Sequence, residues 1–219
     1  MTTAIDPSWL LPSEFADSDH PYVIAFARSV IGDATSDKEK ARLLFLAVRE
    51  RLRYDPYSFN TNRADYLASA ILEKERTFCI PKAILLAAAA RAVGIPARLG
   101  FADVKNHLAS EKLLRTMGSD LFVFHGYTEL WIDGKPVKAT PAFNAALCKR
   151  FGVAPLEFDG VTDSLLQPFD NAGRKYMEYV TDRGVHLDLP FEGMLAAFEE
   201  AYKKADPIAA SKTHDEAFH

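Results

Sequence analysis

Residues 77–101, TFCIPKAILLAAAARAVGIPARLGF, form the most ordered local pattern in this 219-residue chain. Pro81 suits the start of a helix, and Gly94 suits the position just after a helix end. Between them, residues 83–90 are apolar on every face, which is typical of a helix buried in a protein core and too short to span a membrane. The stretch predicts a central buried helix, followed by a strand at 97–101.

Helical spacing precedes this stretch and strand patterns follow it. Apolar residues recur at helical spacing over residues 20–53, which predicts two helices, the second capped by Thr35 or Ser36. Downstream, the sequence predicts a hairpin that turns at Asp133-Gly134. The other predicted elements are strands at 121–132 and 137–140, a second hairpin over 175–189 around residues 182–184, and a closing helix over 192–204. These elements predict an α+β fold in which N-terminal helices and the buried helix pack on an antiparallel sheet.

The composition is that of an ordinary globular protein, with 48% hydrophobic and 26% charged residues. We expect a single domain over residues 1–205, with its core motifs in 54–144, and a polar, disordered tail over 206–219.

The charge and the N-terminal pattern restrict partners and location. The net charge of −4 is accompanied by no basic stripe, so nucleic acid is not an expected partner. We find no signal-peptide pattern and no membrane-spanning run, so we expect a cytoplasmic protein that does not bind membranes. Cys79 and Cys148 are too few for a disulfide framework, and both are expected as thiols.

Cys79 is the first candidate for chemistry. It directly precedes the buried helix, where free N–H groups and the helix dipole favour an anion, and this predicts a lowered thiol pKa and a possible nucleophile. The same amides are suited to stabilise an oxyanion. The alternative interpretation is a small apolar residue packed at a helix end.

His125 is the best candidate partner, because it lies within the apolar strand LFVFHGYTELWIDG. If residues 133 and 134 form the turn, Tyr127 pairs with Thr140, which then lies diagonal to His125 on the same face. A residue at position 140 would be able to orient the imidazole. The alternative is a histidine that is only satisfied within the sheet.

FCIPKAILLAAAARAVGIPARLGF, followed by HGYTELWIDGKPVKATPAFN, resembles the core of the transglutaminase-like superfamily of papain-type cysteine enzymes. The resemblance is strongest over residues 78–144 and implies a catalytic cysteine at 79 and histidine at 125. Where the family has an aspartate followed by proline, this chain has Thr140-Pro141, so the third catalytic residue is Thr140 or, if the strand continues, Asn144.

The remaining site predictions are weaker. We expect Phe78, His107 and Tyr127 to contact substrate, although a loop histidine is more often simply exposed. No motif indicates a metal or a cofactor, and none is expected.

Two functions from different classes remain open. The first is a thiol-dependent acyl-transfer enzyme, most simply a peptidase or amidase that forms an acyl-thioester on Cys79, with a peptide, protein or small carboxamide as substrate; an amine acceptor would instead make it a transglutaminase. The second is an inactive domain of the same fold that binds a protein or peptide. The sequence does not determine the substrate, the oligomeric state, or whether residues 145–190 cover the cleft.

Overall fold

The computed structural model describes residues 5–203, apart from the side chain of residue 112. The predicted tail at 206–219 lies outside these residues. The described helices are α1 Pro21–Ile31, α2 Asp37–Arg51, α3 Ala68–Ile71, α4 Cys79–Ala92, α5 Glu111–Met117, α6 Ala145–Phe151 and α7 Phe191–Ala201. The described strands are β1 Arg53–Tyr54, β2 Arg76–Thr77, β3 Ala97–Asn106, β4 Leu121–Ile132, β5 Lys135–Ala139 and β6 Met177–His186.

Helix α4 is the centre of the core, as predicted. All of its residues except the last are buried, and it packs against α1, α2, α3, β3 and β4. Gly94, with a φ of 85°, follows its end in the left-handed conformation that glycine adopts most easily. The two predicted N-terminal helices are also present, and Ser36 Oγ accepts the Glu39 N–H at 3.3 Å as the cap of α2. No described helix is both long and apolar enough to cross a bilayer.

The main sheet is antiparallel and has the strand order β5-β4-β3-β6. The predicted hairpin register is confirmed, with Thr128 opposite Ala139 and positive φ at Asp133 and Gly134. Strand β5 ends at Ala139, one residue earlier than predicted. Thr140 then leaves the hairpin, and its N–H donates to the Ser164 carbonyl at 2.9 Å. The α+β prediction is confirmed.

The second predicted hairpin is wrong. Residues 177–186 form one continuous strand, β6, which pairs with β3 through two register shifts. Asp182-Arg183-Gly184, predicted as a turn, lies within this strand. The bulges accommodate the positive φ of Gly184, so the chain does not reverse its direction there.

A short parallel pair was not predicted from the sequence. β1 pairs with β2 immediately before α4, and the Asp55 N–H donates to the Thr77 carbonyl at 2.8 Å. The pair fixes the loop after β1 beside the start of α4.

Candidate active site

Cys79 is the first residue of α4, and Phe78 before it has an extended backbone and forms no side-chain cap. The N–H groups in the first turn of a helix have no acceptor within that helix. The amides of Cys79 and Ile80 are directed to the Cys79 sulfur, and so is the amide of Gly126 on β4. The sulfur therefore lies among backbone donors from two elements.

The ionisation of Cys79 corrects the sequence-based expectation. Burial raises the pKa of the thiol to about 11, although the backbone donors and the Lys82 charge act in the opposite direction. The side chain is only 8% exposed, and its surroundings are apolar, so the cost of desolvating a thiolate exceeds the help from the helix terminus. Burial therefore favours the thiol form of Cys79 over the thiolate.

A close approach between β4 and the start of α4 positions His125. A Cβ atom at Gly126 would lie 3.0 Å from the Ile80 Cα atom, so a glycine after the histidine lets the strand contact the first turn of the helix. Further along, the Thr128 hydroxyl donates to the Ala83 carbonyl at 2.9 Å and fixes the register between strand and helix. The β4 backbone that follows His125 is thereby held against the first turn of α4.

The residue before His125, Phe124, is held in place by an ion pair. Phe124 has a φ of 56°, which is uncommon for an aromatic residue. Its N–H donates to Asp103 Oδ1 at 3.0 Å, and Arg183 donates to both oxygens of Asp103 at 2.5 and 2.8 Å. The Arg183 guanidinium also lies 4.6 Å from the Phe124 ring centroid. Here Val123 and Phe124 of β4 stand opposite the single residue Asp103 of β3, and this bulge lies immediately before His125.

The His125 ring is 4% exposed, and burial lowers its pKa to about 4. Its Nε2 atom is buried without a hydrogen-bond partner among the described residues. Over the same residues no hydrogen bond joins the ring to the Cys79 sulfur. In both groups, therefore, burial favours the neutral form over the charged form.

Thr140 is fully buried, and within residues 5–203 its hydroxyl has no hydrogen bond of normal geometry. Tyr179 of β6 lies between these groups, with its ring edge-on to the His125 ring at a centroid separation of 6.4 Å. Burial raises the pKa of Tyr179 to about 12, an effect that the Leu166 amide and the Thr140 hydroxyl reduce. The residue is 36% exposed, and its hydroxyl accepts the Leu166 N–H at 3.3 Å.

Asn144 does not lie on a continuation of the strand that pairs with β4, because β5 ends at Ala139. Its Oδ1 accepts the Tyr54 N–H at 2.7 Å, and its Nδ2 donates to the Arg49 and Leu52 carbonyls at 2.5 and 3.0 Å. All of these bonds join it to the end of α2 and the start of β1. The continued strand on which its catalytic role depended is absent, since Pro141 cannot supply a ladder donor.

The predicted substrate-binding residues separate in the structure. Phe78 lines the same cleft as Cys79 and His125. His107 lies away from it, with its Nε2 2.9 Å from Glu178. Tyr127 covers Gly100, where a Cβ atom would lie 2.1 Å from its ring. The cleft therefore includes Phe78 but not His107 or Tyr127.

The cleft measures about 1210 Å³, and aromatic and aliphatic side chains form most of its wall. Phe59, Phe198 and Tyr202 form one wall, with ring centroids 4.8 and 5.5 Å apart. Tyr54 and Phe143 pack at 4.7 Å on another. The segment 145–190 forms part of the wall and contributes Leu147, Arg150, Phe151, Leu166, Arg174, Tyr176 and Met177 to the lining.

Sequence reasoning missed three residues at this site. Lys82, one turn after Cys79, is fully buried; its Nζ donates to the Arg49 and Leu52 carbonyls at 2.8 and 2.6 Å. Asp103 and Tyr179 were missed because their strands meet His125 only in the folded sheet. A lysine inside an otherwise apolar helix is a signal that the sequence did contain.

Within the described part of the chain, no three His, Cys, Asp or Glu side chains are grouped to hold a metal ion. The polar groups that face the cleft beside Cys79 are backbone amides and one imidazole, an arrangement suited to acyl chemistry at a thiol.

A family model for the transglutaminase-like superfamily matches residues 24–140, a range that includes both Cys79 and His125. No curated protein matches the chain.

Two solved structures are similar to parts of the chain. One is a candidate cysteine protease from Cytophaga hutchinsonii, 18% identical, with a TM-score of 0.49 over 83% of this chain and 55% of that one. The other is a candidate protease from Parabacteroides distasonis, 16% identical, with a TM-score of 0.39 over 57% of this chain and 25% of that one. The chain thus spans about half of the first protein and a quarter of the second.

Proposed function

The chain belongs to the transglutaminase-like superfamily, and from this premise we propose that it is a cysteine-dependent enzyme that cleaves an amide or peptide bond through an acyl-thioester on Cys79. One observation carries the proposal. The Cys79 sulfur receives the amide of Gly126, the residue that follows His125, and the thiol and the imidazole border the same cleft.

Because burial favours the neutral form of both groups, we propose general-base catalysis rather than attack by a preformed thiolate. As the Cys79 sulfur attacks the substrate carbonyl carbon, the C–S bond forms and the thiol proton passes to His125. The carbonyl oxygen takes up the negative charge, and the amides of Cys79 and Ile80 are suited to stabilise it. The C–N bond then breaks, and the imidazolium returns the proton to the leaving amine.

Water completes the cycle in a peptidase or amidase. His125 accepts a proton from water, the hydroxyl adds to the thioester carbon, and the C–S bond breaks to release a carboxylic acid and the thiol. An amine in place of water would give a transglutaminase. Because Thr140 carries no charge, it does not stabilise the imidazolium as a carboxylate would, and we expect slow acylation.

Activated esters test this proposal without knowledge of the substrate. p-Nitrophenyl esters should give a burst of nitrophenolate and an acyl adduct that mass spectrometry locates on Cys79. His125→Ala should slow acylation by roughly 10²–10⁴-fold, the usual contribution of a general base. Cys148→Ala is the matched control, since Cys148 is also buried and its thiol pKa is also raised to about 11. Equal labelling of both cysteines, or acylation independent of His125, would contradict the proposal.

A binding module is the second candidate, and two observations favour it. The buried His125 Nε2 and Thr140 Oγ1 both lack partners among residues 5–203, and burial raises rather than lowers the pKa of the Cys79 thiol. In that case the cleft would bind a peptide or protein segment, and Cys79→Ala would bind it as well as the wild type does.

A further inference from the structure

The wall of the cleft carries information about the ligand. Ten of its lining residues are aromatic, and two of these, Phe59 and Phe151, are 38% and 47% exposed. Exposed aromatic surface that faces a concave site marks a place where an apolar group binds. A strongly polar substrate would leave this surface in contact with polar groups and would gain nothing from it.

One face of α6 adds a cation at the edge of this apolar wall. Leu147, Arg150 and Phe151 line the cleft, as expected for positions three and four residues apart on a helix. Arg150 is exposed and takes part in no ion pair or hydrogen bond among the described residues.

The other cleft arginine is different. The Arg174 guanidinium contacts Asp170 at 2.7 and 2.8 Å, so a carboxylate already neutralises it. Lys149, next to Arg150 in sequence, does not line the cleft. Arg150 is therefore the cleft arginine that is available to an anionic ligand.

We propose that the cleft binds amides that join an apolar, preferably aromatic, acyl group to an amine bearing a carboxylate, with the acyl group against the aromatic wall and the carboxylate at Arg150. N-acylated amino acids and the C-terminal residues of short peptides have this chemistry. That such ligands are cleaved rests on the proposed function, but their binding does not. With the carbonyl at Cys79, cleavage would release the apolar acid and the free amino acid.

Binding is measured on Cys79→Ala, so that no turnover occurs. The probe is 1-naphthylacetylglycine, whose naphthyl fluorescence anisotropy reports binding. 1-Naphthylacetylglycinamide has the same shape without the charge, and N-acetylglycine, used as a competitor, has the charge without the ring. We expect the probe to bind about fivefold more tightly than the amide, as for one exposed ion pair, and at least about thirtyfold more tightly than N-acetylglycine.

Substitutions of two neighbouring residues test whether Arg150 is the group that binds the carboxylate of the probe. Arg150→Glu should abolish the preference for the probe over the amide, and Lys149→Glu should keep it. Absence of probe binding, equal binding of N-acetylglycine, or a preference that survives Arg150→Glu would overturn the inference. Tight binding without cleavage by the wild type would count against the proposed function alone. Ester acylation of Cys79 without probe binding would count against the ligand class alone.

Discussion

The two halves of the candidate site differ in how their buried polar atoms are satisfied. On the Cys79 half, Lys82 and Thr128 donate to backbone carbonyls, and the sulfur itself receives amides. On the His125 half, the Nε2 of the imidazole and the hydroxyl of Thr140 have no partner among residues 5–203. Buried polar atoms without partners are rare and often mark function.

The difference between the two halves concerns how firmly each reactive side chain is held in place. The Cys79 half is fixed by helix α4 and its contacts. The His125 half has its backbone fixed by the bulge at Phe124 but its ring left without an orienting partner. Substitutions that remove single interactions from each half test this difference in how the two halves are held.

The largest loss of stability is expected from substitution of Asp103, the carboxylate that holds the Phe124 backbone beside His125. Asp103→Ala removes the acceptor of the Phe124 N–H and leaves Arg183 unpaired, at a cost of about 3 kcal/mol in the free energy of unfolding. Asp103→Asn should recover part of this, because an amide oxygen still accepts the N–H. Urea denaturation measures both variants. As the control, Asp120→Ala breaks a surface ion pair, 2.8 Å from Lys105, and should change the free energy of unfolding little. If Asp103→Ala and Asp120→Ala lost the same stability, the stabilising role given to Asp103 would be wrong.

The Cys79 half contains a buried amine whose ionisation should affect stability. Burial lowers the pKa of Lys82 from 10.5 to about 7. Between these values the unfolded chain binds a proton that the folded chain does not, so the stability conferred by the neutral amine is lost as the pH falls from 10.5 towards 7. The free energy of unfolding should therefore rise between pH 7 and 9, by at most about 1.4 kcal/mol per unit.

Lys82→Met should flatten this rise. Lys135→Met, at the exposed first position of β5, should leave it unchanged, because that side chain is in contact with water in both states. The measurement is urea denaturation at pH 7, 8 and 9. A slope that is the same in Lys82→Met and in the wild type would show that the buried amine does not control it.

The contact between the halves depends on Gly126. Gly126→Ala should destabilise the fold by about 1–2 kcal/mol, because the new methyl group meets the backbone of α4 rather than a flexible side chain. It should also slow the acylation of Cys79 by displacing β4. Gly193→Ala in α7 is the control, since nothing lies within 4 Å of its added methyl group and alanine favours a helix. A stable, fully active Gly126→Ala would contradict the tight contact.

The smallest effects come from two buried threonines. Thr128 and Thr140 are both fully buried, but among the described residues only the Thr128 hydroxyl makes a hydrogen bond of normal geometry. Thr128→Val should cost about 1 kcal/mol, whereas Thr140→Val should be neutral or stabilising by a similar amount, since it removes an unsatisfied hydroxyl. Thermal denaturation of both variants measures the difference. If Thr140→Val were the more damaging, the hydroxyl would have a partner in solution, with His125 the first candidate.

Much of the fold could be predicted from the sequence, because its signals were local. The buried α4, its glycine stop and the β4–β5 register follow from the order of apolar residues, proline and glycine. The β6 strand could not be predicted, because its Asp-Arg-Gly signal reads as a turn unless β3 is present to pair with it. The single domain over residues 1–205 and the catalytic roles of Cys79, His125 and Thr140 stay predictions.

The sequence by itself determined the family, the buried helix and the two residues most suited to chemistry, because each depends on neighbours in the chain. Only the tertiary structure decided their ionisation, since burial is a property of the whole core: it raises the thiol pKa to about 11 and lowers the imidazole pKa to about 4. The tertiary structure also places Asn144 against the end of α2, the Tyr179 ring beside the His125 ring, and Asp103 on the Phe124 N–H next to His125. Contacts between distant strands form only when the sheet does, and no local pattern encodes them.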